Sequence, residues 1–456
     1  MMALQNKMQL RKNLELFLLV LVVILQLIWG LPHTIALRNF CLYGGGVVSL
    51  LLIVFFYGKI QLKNHIPMIL LLAVPAWLVF HYIFLPVNLE KQWYDISGTW
   101  LRIFSGIVIA FSLGKLLTNS PHYFKWVYLS YVILIVGSII LFFKQAYVSH
   151  QWIFAFSGIF KTKIACAYYS FFLCLLTFGI LSKNQSSKIK TSLVSQLFFF
   201  TVLIACIFSC FSVHSLIGVT FCILMGVVCS FLMLNNFGTN HRLQNMLALA
   251  LPVFLIVSTF AFSQYDKKYE GKLMHLKNDV VISLNIDQNK TWSRSTSVAG
   301  IPDPVDQNGR HINVSIYERT SWLIKGWQTL SDHPLGSGFS WAAFRHYMAI
   351  EYPGSTVDKT HSGWLDLALG IGLPGLFLTW SAIFLILKQA FALLKAPYHD
   401  NQSFIIIFFL IGMCLFWLAG EVSEREFTEH FFFFIALSSS YLSHFRLKND
   451  VLNISQ

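Results

Sequence analysis

Two stretches decide the fold: Leu14-Glu-Leu-Phe-Leu-Leu-Val-Leu-Val-Val-Ile-Leu-Gln-Leu-Ile-Trp-Gly30 and the run from Ile66 to Pro86. Each is almost uninterrupted apolar sequence, near the roughly 20 residues a helix needs to cross hydrocarbon. They are typical of the whole chain. Of 456 residues, 56% are hydrophobic and 12% charged, with 43 Phe, where soluble domains carry about 25% charged residues. A water-soluble fold of that composition cannot cover its own surface, so the runs read as spanning helices.

Working outward, apolar segments recur near 14–30, 39–57, 66–86, 98–117, 124–146, 163–182, 192–212, 214–235, 246–263, 364–388, 403–420 and 430–446, which predicts an all-α polytopic membrane protein with about twelve spans. Lys7, Arg11 and Lys12 precede the first run without a small-residue cleavage site, so it reads as an uncleaved first helix. With the N-terminus in the cytosol, the inside connectors hold Lys59, Lys63, Lys183, Lys188, Lys190, Arg242, Lys388 and Lys395, and the tail adds Arg446 and Lys448. The outside connector at 420–429 carries Glu421, Glu424, Glu426 and Glu429. This is the positive-inside pattern, with both termini cytoplasmic. It divides the chain into spans one to nine (1–263), an outer loop (264–363), and spans ten to twelve with a cytoplasmic tail (364–456).

A connection of about a hundred residues is usually functional or disordered, and the loop's second half reads as folded. Ser315 to Leu330 patterns as an amphipathic helix, with Trp322, Leu323, Trp327 and Leu330 spaced to lie on a membrane surface. Asp332-His-Pro-Leu-Gly-Ser-Gly338 supplies turn chemistry. The net charge of +13 does not indicate nucleic acid, because most Lys sits in connectors between apolar blocks. All eight Cys fall in apolar segments, leaving neither a disulfide framework nor a zinc pattern, and no glycine-rich nucleotide loop occurs.

His361 and, five residues on, Asp366 stand at the mouth of the tenth span. Polar groups entering a membrane segment are costly and tend to be functional, and a histidine there suits general-base work; an interfacial, hydrated imidazole is the plainer alternative. Arg319, at the start of the amphipathic helix, suits bidentate capture of a phosphate or pyrophosphate, against simple snorkelling or pairing with Glu318. Arg294, Arg310, Lys325 and Arg345 add basic character to the loop, as binding groups or as a solvated face. His214, in the short polar break Phe211-Ser-Val-His-Ser215, is a second outer cation or the turn of a hairpin. Few ionisable residues lie within the spans, which counts against a transporter.

Tyr317-Glu-Arg-Thr-Ser-Trp322, Asp332-His-Pro-Leu-Gly-Ser-Gly338, and His361-Ser-Gly-Trp-Leu-Asp366 followed by Gly370-Ile-Gly-Leu-Pro-Gly375 resemble the O-antigen ligase family of bacterial inner-membrane glycan transferases. That group includes O-antigen polymerases and protein O-oligosaccharyltransferases. The stretches match its loop arginine, its HPLGxG turn and its H[NS]xxL[ED]xxxxGxxG signature. The resemblance implies a metal-independent, cofactor-free, inverting transfer, of the GT-C type, from undecaprenyl pyrophosphate to a hydroxyl on the periplasmic side. It implies His361 as base, Arg319 on the pyrophosphate and Asp366 in an orienting role. The acceptor is expected to be lipid A-core, with a pilin or other protein hydroxyl or the growing glycan as alternatives; a lipid-linked glycan transporter is the alternative of another class. The family's second arginine, in a [ST]R[GA] segment, corresponds here to Ser212-Val-His-Ser215, which puts His214 in its place.

Overall fold

The computed structural model describes residues 2–58, 60–151, 157–186, 193–212, 275–288, 290–294, 304–395, 402–420 and 424–454, with scattered positions between 253 and 267. Among these the chain is helical, and its one β feature is an isolated bridge between Val305 and His311. Among the described residues, six helical stretches are long and apolar enough to cross a membrane: Ile35–Phe56, Leu62–Phe84, Leu89–Asn119, Pro121–Ser149, Lys163–Leu181 and Gly363–Lys395. The expected spans at 214–235 and 246–263 lie outside the described residues or are described only at scattered positions.

In chain order the bundle comprises α1 (Met2–Ile28), α2 (Ile35–Phe56), α3 (Ile66–Phe84), α4 (Leu89–Asp95), α5 (Leu101–Asn119), α6 (Phe124–Ser149), α7 (Lys163–Ser186) and α8 (Leu193–Ser212). The segment 264–363 contributes, among its described residues, α9 (Leu276–Ser283), α10 (Val314–Asp332) and α11 (Ala343–Glu351). Then come α12 (Gly363–Lys395), α13 (Ser403–Ala419) and α14 (Arg425–Ile454). α5 and α7 are nearly enclosed by neighbouring helices, while α2 and α3 show large apolar side chains outward, such as Val54, Phe55, Ile83 and Phe84. In lipid no hydrophobic force drives such faces inward.

The loop is a folded unit with its own apolar core. Trp292, Tyr317, Trp322, Leu330, Phe344, Met348 and Val357 pack against Leu365, Ala368 and Leu369 from the first turns of α12. The amphipathic helix predicted at 315–330 is observed at 314–332, capped by Asn313, whose side-chain oxygen accepts from the Ile316 amide at 3.2 Å. Its four marker residues divide: Trp322 and Leu330 are buried in the loop core, whereas Leu323 and Trp327 point outward. The helix therefore packs on protein through one face and leaves a narrower apolar stripe outside.

The span predicted at 364–388 is longer and is broken. Within α12, Gly372 has φ 70° and ψ 172°, with Pro374 following, so the helical carbonyls before the break lose their usual donors. The loop and α3 supply replacements. Ser337 and Gly338 donate backbone N–H groups to the carbonyls of Leu369 and Gly370, each at 2.9 Å, the Leu373 amide donates to Pro334 at 2.8 Å, and the Trp77 indole donates to Ile371 at 2.7 Å. Non-helical backbone at this depth is tolerated when protein satisfies it in this way. The approach is so close that a Cβ on Gly336, at φ +76°, would overlap the Gly372 backbone. Gly336→Ala is expected to cost roughly 3 kcal/mol from strain and overpacking. A thermal unfolding curve in detergent should fall by several degrees; an unchanged curve would show that the contact is not tight.

Candidate functional site

The backbone at His361 is in the left-handed region, φ +62°, an uncommon conformation for a non-glycine residue that the surroundings must hold in place. Asp366 holds it. Its buried carboxylate Oδ1 accepts from both the amide and the hydroxyl of Thr360 at 2.8 Å, the Thr360 hydroxyl in turn accepts from the Ser362 amide at 3.2 Å, and the Asp366 amide donates back to the Ser362 carbonyl at 2.9 Å. The residue five after the histidine thus fixes the turn that presents it, and four hydrogen bonds satisfy the polar groups at the mouth of α12 at once.

The imidazole lies on the Trp322 indole, with ring centroids 5.1 Å apart and planes 12° from parallel. Trp322 is itself fixed, because its indole N–H donates to the Trp292 carbonyl at 2.8 Å. Arg319 precedes Trp322 by three residues on α10 and Gly326 follows by four, so the three share a helical face. A Cβ at Gly326 would meet the side chains of Thr360 and Leu365 at 2.7 Å, which locates that face against the His361 turn. Arg319 is exposed and forms no ion pair among the described residues.

The other loop cations differ. Arg310 pairs with Asp279 at 2.6 Å and Asp306 at 3.0 Å, stitching α9 to the cap of α10. The Arg310 backbone N–H and its guanidinium hold the Asp306 carboxyl below its ordinary range. Lys325 is buried, pairs with Glu351 and sits 5.5 Å from the Tyr352 ring. Arg345 meets Asp358 at 3.3 Å, both more than half exposed, an arrangement worth little. Arg294 lines a cavity of about 330 Å³ with Lys290, Thr291 and Tyr352, next to Trp292. His214 lies outside the described residues, two positions beyond the end of α8.

Several polar groups at this end of the bundle escaped the sequence reading. Lys359 meets Glu424 at 3.2 Å, bringing the start of α14 beside the His361 turn. Glu429, expected in an outer connector, is instead buried in α14, where Arg102 of α5 pairs with it at 2.6 Å and Arg38 of α2 lies 3.7 Å away. His430 lies between Tyr131 (2.6 Å) and Tyr168 (3.0 Å). Asp95 accepts from the Ser340 amide and hydroxyl at 2.7 and 2.8 Å, tying the loop to α4. The signal was the position of Arg38 and Arg102 at span edges, where a charge reads as topology rather than as an internal partner. Arg102→Ala removes the hydrogen-bonded partner of buried Glu429 and leaves it only the longer contact to Arg38, which is expected to cost roughly 3 kcal/mol, whereas Arg345→Ala should stay within about 0.5 kcal/mol. Parallel unfolding curves of the two variants check this, and equal losses would contradict it.

A family model described as O-antigen ligase matches residues 152–380, half of the chain, including the segment 264–363, the His361 turn and the break in α12. No curated protein matches.

Proposed function

The chain belongs to the O-antigen ligase family, and we propose that it transfers a glycan from undecaprenyl pyrophosphate to an acceptor hydroxyl at the periplasmic face of the bacterial inner membrane. Members of the family are glycosyltransferase-like enzymes that use lipid-linked glycans. The observation that carries this reading is the stack of His361 on Trp322 with Arg319 one turn along the same helical face. A proton acceptor and a guanidinium that forms no ion pair among the described residues then serve one outer pocket, in a chain of twelve spans with both termini in the cytosol.

In the proposed reaction, His361 takes the proton of the acceptor hydroxyl as its oxygen attacks the anomeric carbon of the first sugar. The bond from that carbon to the pyrophosphate oxygen breaks, with inversion. The departing oxyanion is stabilised by the planar donors of Arg319. Asp366 acts as a positioning residue through Thr360. Lipid A-core is the acceptor favoured here; a protein hydroxyl or the growing glycan would use the same donor site. His214 stands where the family has its second arginine and supplies a positive charge while protonated.

His361→Ala should lower transfer by about 100-fold or more, as loss of a general base does, while the protein still accumulates in the membrane. Near-normal glycan in cells holding only that variant would remove His361 from the chemistry. Arg319→Lys, which loses the bidentate geometry, should be comparably impaired with purified lipid-linked donor. Asp366→Asn should lower kcat with little change in donor KM; the reverse pattern would make it a binding group. If His214 carries charge, the rate falls as pH rises through about 6.5, and His214→Arg flattens that limb of the profile. Deleting the gene and asking whether lipid A-linked polysaccharide, glycosylated protein or only long chains disappear decides among the acceptors.

A further inference from the structure

At the opposite end of the bundle from His361, a cavity of about 380 Å³ opens between the turn before α3, the last turns of α12 and the end of α14. Lys63, Lys388 and Arg446 line it, and no lining residue is acidic. Its wall is otherwise mixed, with Leu385 and Leu442 beside Gln389 and Ser443. Neither the Gln389 amide oxygen nor the Ser443 hydroxyl, both buried, has a hydrogen-bond partner among the described residues, and Ser443 is only 3% exposed. Buried polar atoms left in that state ordinarily mark a missing partner. Neither Lys63 nor Lys388 forms an ion pair among the described residues.

We propose that this cavity binds the headgroup of an anionic phospholipid of the inner leaflet, a site separate from the glycan-transfer pocket and independent of that reading. The cavity lies at the end where Lys63, Lys388, Arg446 and Lys448 gather, the cytoplasmic one by charge bias. Basic pockets between helices at that level suit phosphate-bearing headgroups. The volume holds about a dozen waters at roughly 30 Å³ each, room for a glycerophosphate group and the first acyl carbons. The phosphate meets Lys63, Lys388, Arg446 and the Ser443 hydroxyl, a headgroup hydroxyl donates to the Gln389 oxygen, and the acyl stem leaves past Leu385 and Leu442. This division of partners favours phosphatidylglycerol over inorganic phosphate, which has no acyl stem for the apolar wall.

The test is native mass spectrometry of the delipidated full-length protein with phosphatidylglycerol, phosphatidylcholine, or inorganic phosphate as competitor. Phosphatidylglycerol should bind preferentially, and each of Lys63→Gln, Lys388→Gln and Arg446→Gln should weaken it by about fivefold. Removing Lys7, Lys12 and Lys125, which belong to the same end but not to the cavity, should leave the preference intact. Ala392→Trp fills the cavity while keeping every charge, and should lose the lipid as the variant combining the three Gln substitutions does; it keeps the question answerable if that triple fails to fold. Equal losses in the cavity and control triples would reduce the effect to diffuse surface charge and overturn the proposal. So would undiminished binding to Ala392→Trp, or displacement of the lipid by inorganic phosphate at matched concentration.

Discussion

The structure turns on an exchange of backbone hydrogen bonds. A helix interrupted at Gly372 inside a membrane protein leaves carbonyls that neither lipid nor water can satisfy, and the turn 333–338 answers them with its own amides. Each partner is unusual alone. The break would be costly without the turn, and the turn, rich in glycine at positive φ, has little reason to adopt its shape without the break. Together they pin a hydrophilic loop to the bundle at a fixed height.

The site follows from that attachment. Because the loop core shares Leu365, Ala368 and Leu369 with α12, α10 lies against the first turn of that helix, and Trp322 is brought under His361. Asp366 then spends its carboxylate on the preceding turn, and the imidazole is presented from a strained backbone on a rigid stack. Further anchors at Asp95 and Lys359 tie the loop to elements distant in sequence, and Trp77 ties α3 to the break in α12. A loop fastened at so many points suits a reaction needing a base and a cation held at fixed separation.

Much of this was legible in the chain. Apolar run lengths identify a helical membrane protein, and the composition of 315–338 identifies a folded loop with a helix and a turn. The short motifs around Arg319, His361 and Gly370 carry the family. What the chain did not disclose are relations between distant elements. No periodicity reveals that the turn at 333–338 pairs with a break near 372, since each reads locally as ordinary turn or helix punctuation. Charge counting put Glu429 in a connector because its partners, Arg38 and Arg102, are hundreds of residues away. Arg310 and Lys325 read as further binding groups or a solvated face until their acidic partners appeared; only packing distinguishes a neutralised cation from an available one.

The central claim is that His361 and Arg319 serve a single ligand. A structure determined with a non-hydrolysable pyrophosphate-linked glycan donor bound tests it most directly. One molecule should bridge the two residues, its phosphates against the Arg319 guanidinium and the anomeric carbon of its first sugar on the His361 side. Pyrophosphate bound away from α10, or a first sugar on the far side of the loop from the imidazole, would contradict it.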